Sequence, residues 1–229
     1  MTSGANTAVG TIVCAAVCLA ASPYLARLTI TVPDRDNTRW FVGAAARRDR
    51  LVKTALAALV VGALAGAAAG WTALLPAYLW LALTGAPLIV IDYEHHRLPN
   101  RLVYPAAIGA FVLLALAAAV DDAWSDYLRA VIAAAVAYAV LFVLKFISPR
   151  SFGWGDVRLG GVLGAYLGYS GWLAVYYGLF GGFLLGSLVA IALMAARRAT
   201  MKTAMAFGPM LLLGALLVLA FDITPSLVG

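Results

Sequence analysis

The sequence predicts an all-α fold: a polytopic membrane helix bundle of about eight transmembrane helices with both termini outside. Three observations predict it. Of 229 residues, 64% are hydrophobic and 11% charged, with a mean hydropathy of +0.96, whereas a soluble domain is about half apolar and about a quarter charged. Apolar stretches near the roughly 20-residue length of a membrane span recur along the chain. The basic residues gather in alternate loops between those stretches. The net charge of +6 is therefore accounted for by loop anchors and needs no nucleic acid partner.

The apolar segments fall at about Thr7–Leu28, Leu51–Ala69, Thr72–Ile91, Leu102–Val120, Tyr127–Ile147, Val157–Gly168, Gly171–Ala196 and Ala204–Phe221. The first lacks the basic region that precedes a secretory signal, and its nearest positive charge, Arg27, follows it. It is expected to be a retained span that starts outside. Its two cysteines, Cys14 and Cys18, share one helical face and are expected to pack as small apolar residues. The sixth segment is short and carries Gly160, Gly161, Gly164 and Gly168. It is expected to pack against other helices instead of facing lipid.

The loops set the orientation. Arg35, Arg39, Arg47, Arg48 and Arg50 lie between the first two segments, and Arg97 and Arg101 between the third and fourth. Lys145, Arg150 and Arg158 surround the link from the fifth to the sixth, and Arg197, Arg198 and Lys202 precede the eighth. The opposite loops hold Asp121, Asp122 and Asp126, with Arg129 the only basic residue near them. The basic loops are therefore expected to be cytoplasmic. Residues 1–229 read as one membrane-embedded domain. The cytoplasmic loop over 29–50 is too short for a core of its own, and Pro33, Asp34, Asp36 and Asn37 favour turns there.

Two acids stand out on this topology. Asp92 ends the third segment, running inward, and Asp156 begins the sixth, running outward. Both are thus expected at the cytoplasmic membrane boundary, with Glu94 as the only other acid so placed. Ionisable groups at membrane depth are costly and are usually functional. The blander reading makes each an interfacial charge paired with a base such as Arg97 or Arg158. Taken together, with Gly153 and Gly155 permitting close backbone approach before Asp156, they suggest one site. Two facing carboxyls do not both ionise easily, so one holds a proton while the other serves as a base. That is what activating a water against a peptide carbonyl requires. Helix ends bias the proton: Asp156 at a helix start favours the anion, and Asp92 at a helix end disfavours it.

"IDYEHHRLPN" (Ile91 to Asn100) resembles the D-x6-P-(N/D) segment of the prepilin peptidases, the type IV leader peptidases. "GWGDVRLGGVLGAYLG" from Gly153 resembles their G-x-G-D-x-(K/R)-L segment and the Gly-rich helix after it. "MAFGPMLLLGA" (Met205 to Ala215) is similar to the P-F-G-P start of their last helix, with Ala206 for the first proline. The resemblance covers roughly Leu74 to the C-terminus. It implies a membrane aspartic endopeptidase in which Asp92 and Asp156 are catalytic. Its substrates would be pilin-like precursors, cut on the cytoplasmic side between a short basic leader and the hydrophobic helix. Many members insert a cytoplasmic domain with two CxxC pairs, linked with methylation of the new N-terminus. Here only the 29–50 loop stands in that place and no CxxC occurs, so peptidase activity alone is expected.

The residues around the acids are expected to shape the site. Pro99 ends the extended link after the third segment, and Asn100 can cap the fourth. Arg158 reads as a snorkelling anchor in preference to a catalytic partner. His95 and His96 are adjacent, about 100° apart around a helix, and lack the H-E-x-x-H spacing of helical metalloproteases. No metal or other cofactor is expected; the expected partners are precursor protein and membrane lipid, and oligomeric state is left open. Trp71, Tyr78, Trp80, Trp124 and Trp172 read as interfacial belt residues. Three alternatives compete: a presenilin-type intramembrane aspartic protease, whose acids lie deeper; a non-enzymatic membrane assembly component; and a small transporter, whose acids more often sit mid-helix beside broken helices.

Overall fold

A computed structural model describes residues 4–32, 46–148, 153–197 and 206–222. Arg35, Arg39, Arg150, Arg198, Lys202 and the turn residues Pro33, Asp34, Asp36 and Asn37 lie outside the described residues, as does most of the 29–50 loop. Among the described residues the structure is all helical: α1 (Gly4–Thr31), α2 (Arg48–Ala69), α3 (Leu75–His95), α4 (Asn100–Asp121), α5 (Trp124–Ile147), α6 (Trp154–Ser170), α7 (Trp172–Ala195) and α8 (Gly208–Phe221). Six of these, α1 to α5 and α7, are long and apolar enough to cross a membrane. The chain is a multi-pass helical membrane protein.

The two shorter helices are, with α3, the most buried. α6 has 17 residues and α8 has 14, or roughly 26 and 21 Å at 1.5 Å per residue. Most of α6 is buried, including Val157, Leu159, Leu163, Tyr166 and Leu167, as its glycine pattern predicted. Cβ atoms at Gly160, Gly164 and Gly168 would overlap Leu141, Ala137 and Ala133 of α5. The glycine ridge of α6 thus fits the alanine face of α5, and dispersion between closely spaced backbones holds the pair.

The far end of α6 is closed by Arg129. Its Nε donates to the Gly168 carbonyl at 2.7 Å and its Nη2 to the Tyr169 carbonyl at 2.6 Å, while Asp126 Oδ1 lies 3.1 Å away. These carbonyls have no partner within the helix. The one basic residue that departs from the loop pattern is therefore a helix C-terminal cap, which is why its charge sits on the far side.

α3 and α6 make no close backbone approach among the described residues; α4 and α8 each pack on both. Toward the far end the gap is filled by Tyr78 and Tyr166, whose rings meet edge-on at 5.3 Å. Tyr166 Oη also donates to the Ala77 carbonyl at 2.8 Å. Tyr78 is only 2% exposed, so it belongs to the core and not to the interfacial belt. An aromatic near a helix end looks the same in sequence whether it faces lipid or a neighbouring helix. Trp80 is half-buried, and its Nε1 donates to the Pro105 carbonyl of α4 at 3.3 Å. Trp71, Trp124 and Trp172 are exposed near helix starts, as belt residues are. Toward the other end the gap between α3 and α6 opens into a cavity.

Candidate active site

That cavity, of about 220 Å³, is lined by Asp92 from the last turn of α3 and Asp156 from the first turn of α6. Both carboxyls are buried, at 3% and 7% exposure. His96, Arg97, Leu98, Gly153, Trp154, Gly155 and Arg158 complete the wall. The two acids singled out in the sequence thus share one space, at the end of the bundle where α3 finishes and α4, α6 and α8 begin.

Each acid is held by a backbone donor at a helix start. Asp156 is the third residue of α6, and its Oδ2 accepts the N–H of Gly153, the N-cap, at 2.8 Å. This is the acid half of a capping box; glycine at the N-cap has no side chain to complete the other half. Asp92 Oδ2 accepts the N–H of Gly208, the first residue of α8, at 3.1 Å. Asp92 therefore lies at the carbonyl end of its own helix and at the N–H end of another. The expectation that helix ends separate the two acids rested on α3 and α6 alone. With α8 included, both carboxyls face a helix N-terminus, and that argument no longer assigns the proton.

The chain turns sharply after α3. His96 adopts a left-handed conformation (φ 51°), and its N–H donates to the Asp92 carbonyl at 2.8 Å. Histidine is among the residues that tolerate this region better than most. Pro99 follows in an extended conformation (φ −72°, ψ 130°) and is the N-cap of α4, in line with its expected role of ending the link. Between them Leu98 points back into the bundle. A Cβ at Gly155 would overlap the Leu98 side chain, and a Cβ at Gly208 would come within 3.0 Å of Leu98 Cδ1 and of Asp92 Oδ2. Leu98 is thus wedged between the starts of α6 and α8, and both glycines are needed for the fit. Neither Leu98 nor Gly208 was among the expected site residues. Gly208 stood within the "FGP" segment, which was the available signal; a single leucine among so many carried none.

Asn100 does not cap α4. It is the first residue of the helix, and no side-chain cap is formed there. Its Oδ1 instead accepts from Arg158 Nη1. The guanidinium of Arg158 also sits over the Tyr104 ring, 5.6 Å from its centre. A charged donor from α6 thus takes the oxygen that a local backbone N–H would otherwise receive. Arg158 ties α6 to α4 at the edge of the cavity while lining it.

The remaining polar residues of the segment turn elsewhere. Glu94 faces α2, with Arg50 at 2.7 Å and Lys53 at 3.8 Å. His95 lines a neighbouring cavity of about 600 Å³, whereas His96 lines that of the acids. Among the described residues no three His, Cys, Asp or Glu side chains gather as metal ligands would. Cys14 and Cys18 are free and fully buried in α1.

Comparison with known proteins identifies the family. Residues 79–195 match the Type IV leader peptidase family. The chain is 32% identical over 165 residues to the prepilin leader peptidase/N-methyltransferase of Pseudomonas putida, an alignment that covers 70% of this chain and 53% of that protein. The chain thus spans about half the length of this curated relative. No solved structure matches. The family match takes in both acids, the turn between α3 and α4, and the start of α6, and on these grounds the chain belongs to the type IV leader peptidase family.

Proposed function

We propose that the chain is an aspartic endopeptidase that removes the basic leader of type IV pilin-like precursors at the cytoplasmic face of a bacterial-type plasma (inner) membrane. The observation that carries this reading is the meeting of Asp92 and Asp156, from separate helices, in one cavity at the end of the bundle. Two buried carboxyls in one cavity do not both ionise easily, so one keeps its proton while the other is ionised. The ionised one draws a proton from a water, and the protonated one donates to the scissile carbonyl as the water attacks. The N–H groups of Gly153 and Gly208 hold the two carboxyls through Oδ2 in each case.

The cytoplasmic side is supported by the charge pattern. Arg50, Lys53, Arg97 and Arg158 surround this end of the bundle, and basic residues favour the cytoplasmic side. The printed name of the Pseudomonas putida relative includes a methyltransferase. We assign this chain the peptidase activity alone, because its sequence has no CxxC and only a short loop between α1 and α2.

Incubation of the purified chain in liposomes with a pilin-like precursor tests the reading. A shift of the precursor to the size of the leaderless form is expected. An unshifted precursor, with the chain verified as folded, would contradict it.

A further inference from the structure

α1 and α4 stand on either side of α3 without approaching each other among the described residues. Between them lies a groove of about 810 Å³, walled by α1 and α4 and floored by α3. Tyr24, Leu25, Leu28, Trp80, Leu83 and Tyr104 give it an apolar lining. Within it Thr84 Oγ1 donates to the Trp80 carbonyl at 2.8 Å, and Trp80 Nε1 to that of Pro105, so these two groups are engaged and the contact offered beside them is apolar. A peptide that crosses a membrane against such a wall does so as a helix, with its backbone bonded internally.

Between the groove and the acids lies one further space. Val32, Asn100 and Arg101 line both the groove and this adjoining cavity of about 600 Å³. That cavity in turn shares Arg97 and Leu98 with the space that holds Asp92 and Asp156. From Ala21 to Val32 the α1 wall runs roughly 16 Å at 1.5 Å per residue, about half the hydrocarbon thickness of a bilayer. It covers the half on the side of the acids.

We propose that this groove seats the membrane-spanning helix of the peptide substrate. The segment just beyond the helix end is then led past Asn100 and Leu98 to Asp92 and Asp156. The inference rests on the peptidase reading and adds to it where the substrate docks. It follows from the succession of neighbouring spaces, each sharing wall residues with the next, apolar at one end and acid-lined at the other. A lipid acyl chain would use the first space alone.

Leu83→Trp and Ala21→Trp would fill the groove without touching the acid cavity; Leu184→Trp, on the exposed face of α7, is the control. Each is assayed on a full precursor in liposomes and on a short soluble peptide that spans the cut but lacks the apolar helix. We expect the groove variants to lose about tenfold or more in kcat/KM on the full precursor, equivalent to about 1.4 kcal/mol, and to cleave the short peptide as the unmodified chain does. The control should be unchanged on both. A photo-reactive residue at Leu83 should cross-link to the precursor helix. Groove variants that cleave the full precursor normally, that lose both substrates equally, or a cross-link to lipid alone would overturn the inference. Cleavage of neither substrate by the unmodified chain would sink the peptidase reading itself, and this inference with it.

Discussion

The carboxylate of Asp92 accepts the backbone N–H of Gly208 across 116 residues of chain. This bond ties the end of α3 to the start of α8. Gly208 has no room for a Cβ there without pressing Asp92 Oδ2 and Leu98, each 3.0 Å from where it would stand. Gly208→Ala should therefore lower kcat by on the order of tenfold, since a hydrogen bond to a charged group contributes about 1.5–3 kcal/mol. Gly181→Ala, whose Cβ would meet nothing nearer than 3.9 Å, should leave activity unchanged. Equal activities for the two variants would show that the Gly208 contact has no bearing on Asp92.

The junction of Arg158 and Asn100 predicts coupling. Arg158→Ala and Asn100→Ala remove the same bond, so their effects on unfolding should be non-additive by about 0.5–3 kcal/mol in a double-mutant cycle. Arg158→Lys should not restore the wild-type value, because a lysine cannot both reach Asn100 and lie flat over Tyr104. Strict additivity would mean that the contact contributes no stability.

Helix α6 supplies a stability test within one helix. Gly164→Ala places a Cβ 2.6 Å from that of Ala137 and 2.8 Å from the Ala133 carbonyl oxygen. It should destabilise by about 1–3 kcal/mol, as overpacking does. Gly161→Ala meets only ordinary contacts, from 3.4 Å outward, and should be neutral or slightly stabilising, because alanine favours helix over glycine by about 1 kcal/mol. Thermal unfolding in detergent separates the two variants.

The legibility of this molecule from sequence depended on the kind of residue. Asp92 and Asp156 were visible because carboxyls are conspicuous at the edges of apolar runs, and the glycine ridge of α6 because its spacing follows the helix turn. The role of Gly208 was hidden because the atom that acts is a backbone N–H, which no residue type announces, brought in by tertiary packing. Asn100 was misread because local capping and a cross-helix arginine compete for the same oxygen, and only the fold puts Arg158 within reach. Tyr78 was misread for a related reason: helix position along the membrane is written in the sequence, but which neighbour an aromatic faces is not.

Orientation is open to direct labelling. In a Cys14→Ala, Cys18→Ala background, a cysteine in place of exposed Ser125 should react with an impermeant thiol reagent from outside. One in place of exposed Arg47 should react only from inside. The reverse pattern would put the acids on the outer face, where the proposed substrate junction is not presented.

The central claim is that the two carboxyls act together on a peptide bond. Co-expression with a pilin-like precursor, with its size read on a gel, tests this directly when done with the unmodified chain and with Asp92→Asn and Asp156→Asn. The amide keeps the shape of each side chain but supplies neither a base nor a shareable proton. The account predicts a shifted precursor with the unmodified chain and an unshifted one with each variant, while each variant is still found in the membrane. Near-normal cleavage by either variant would show that its aspartate is not catalytic, and the account would be contradicted at its centre.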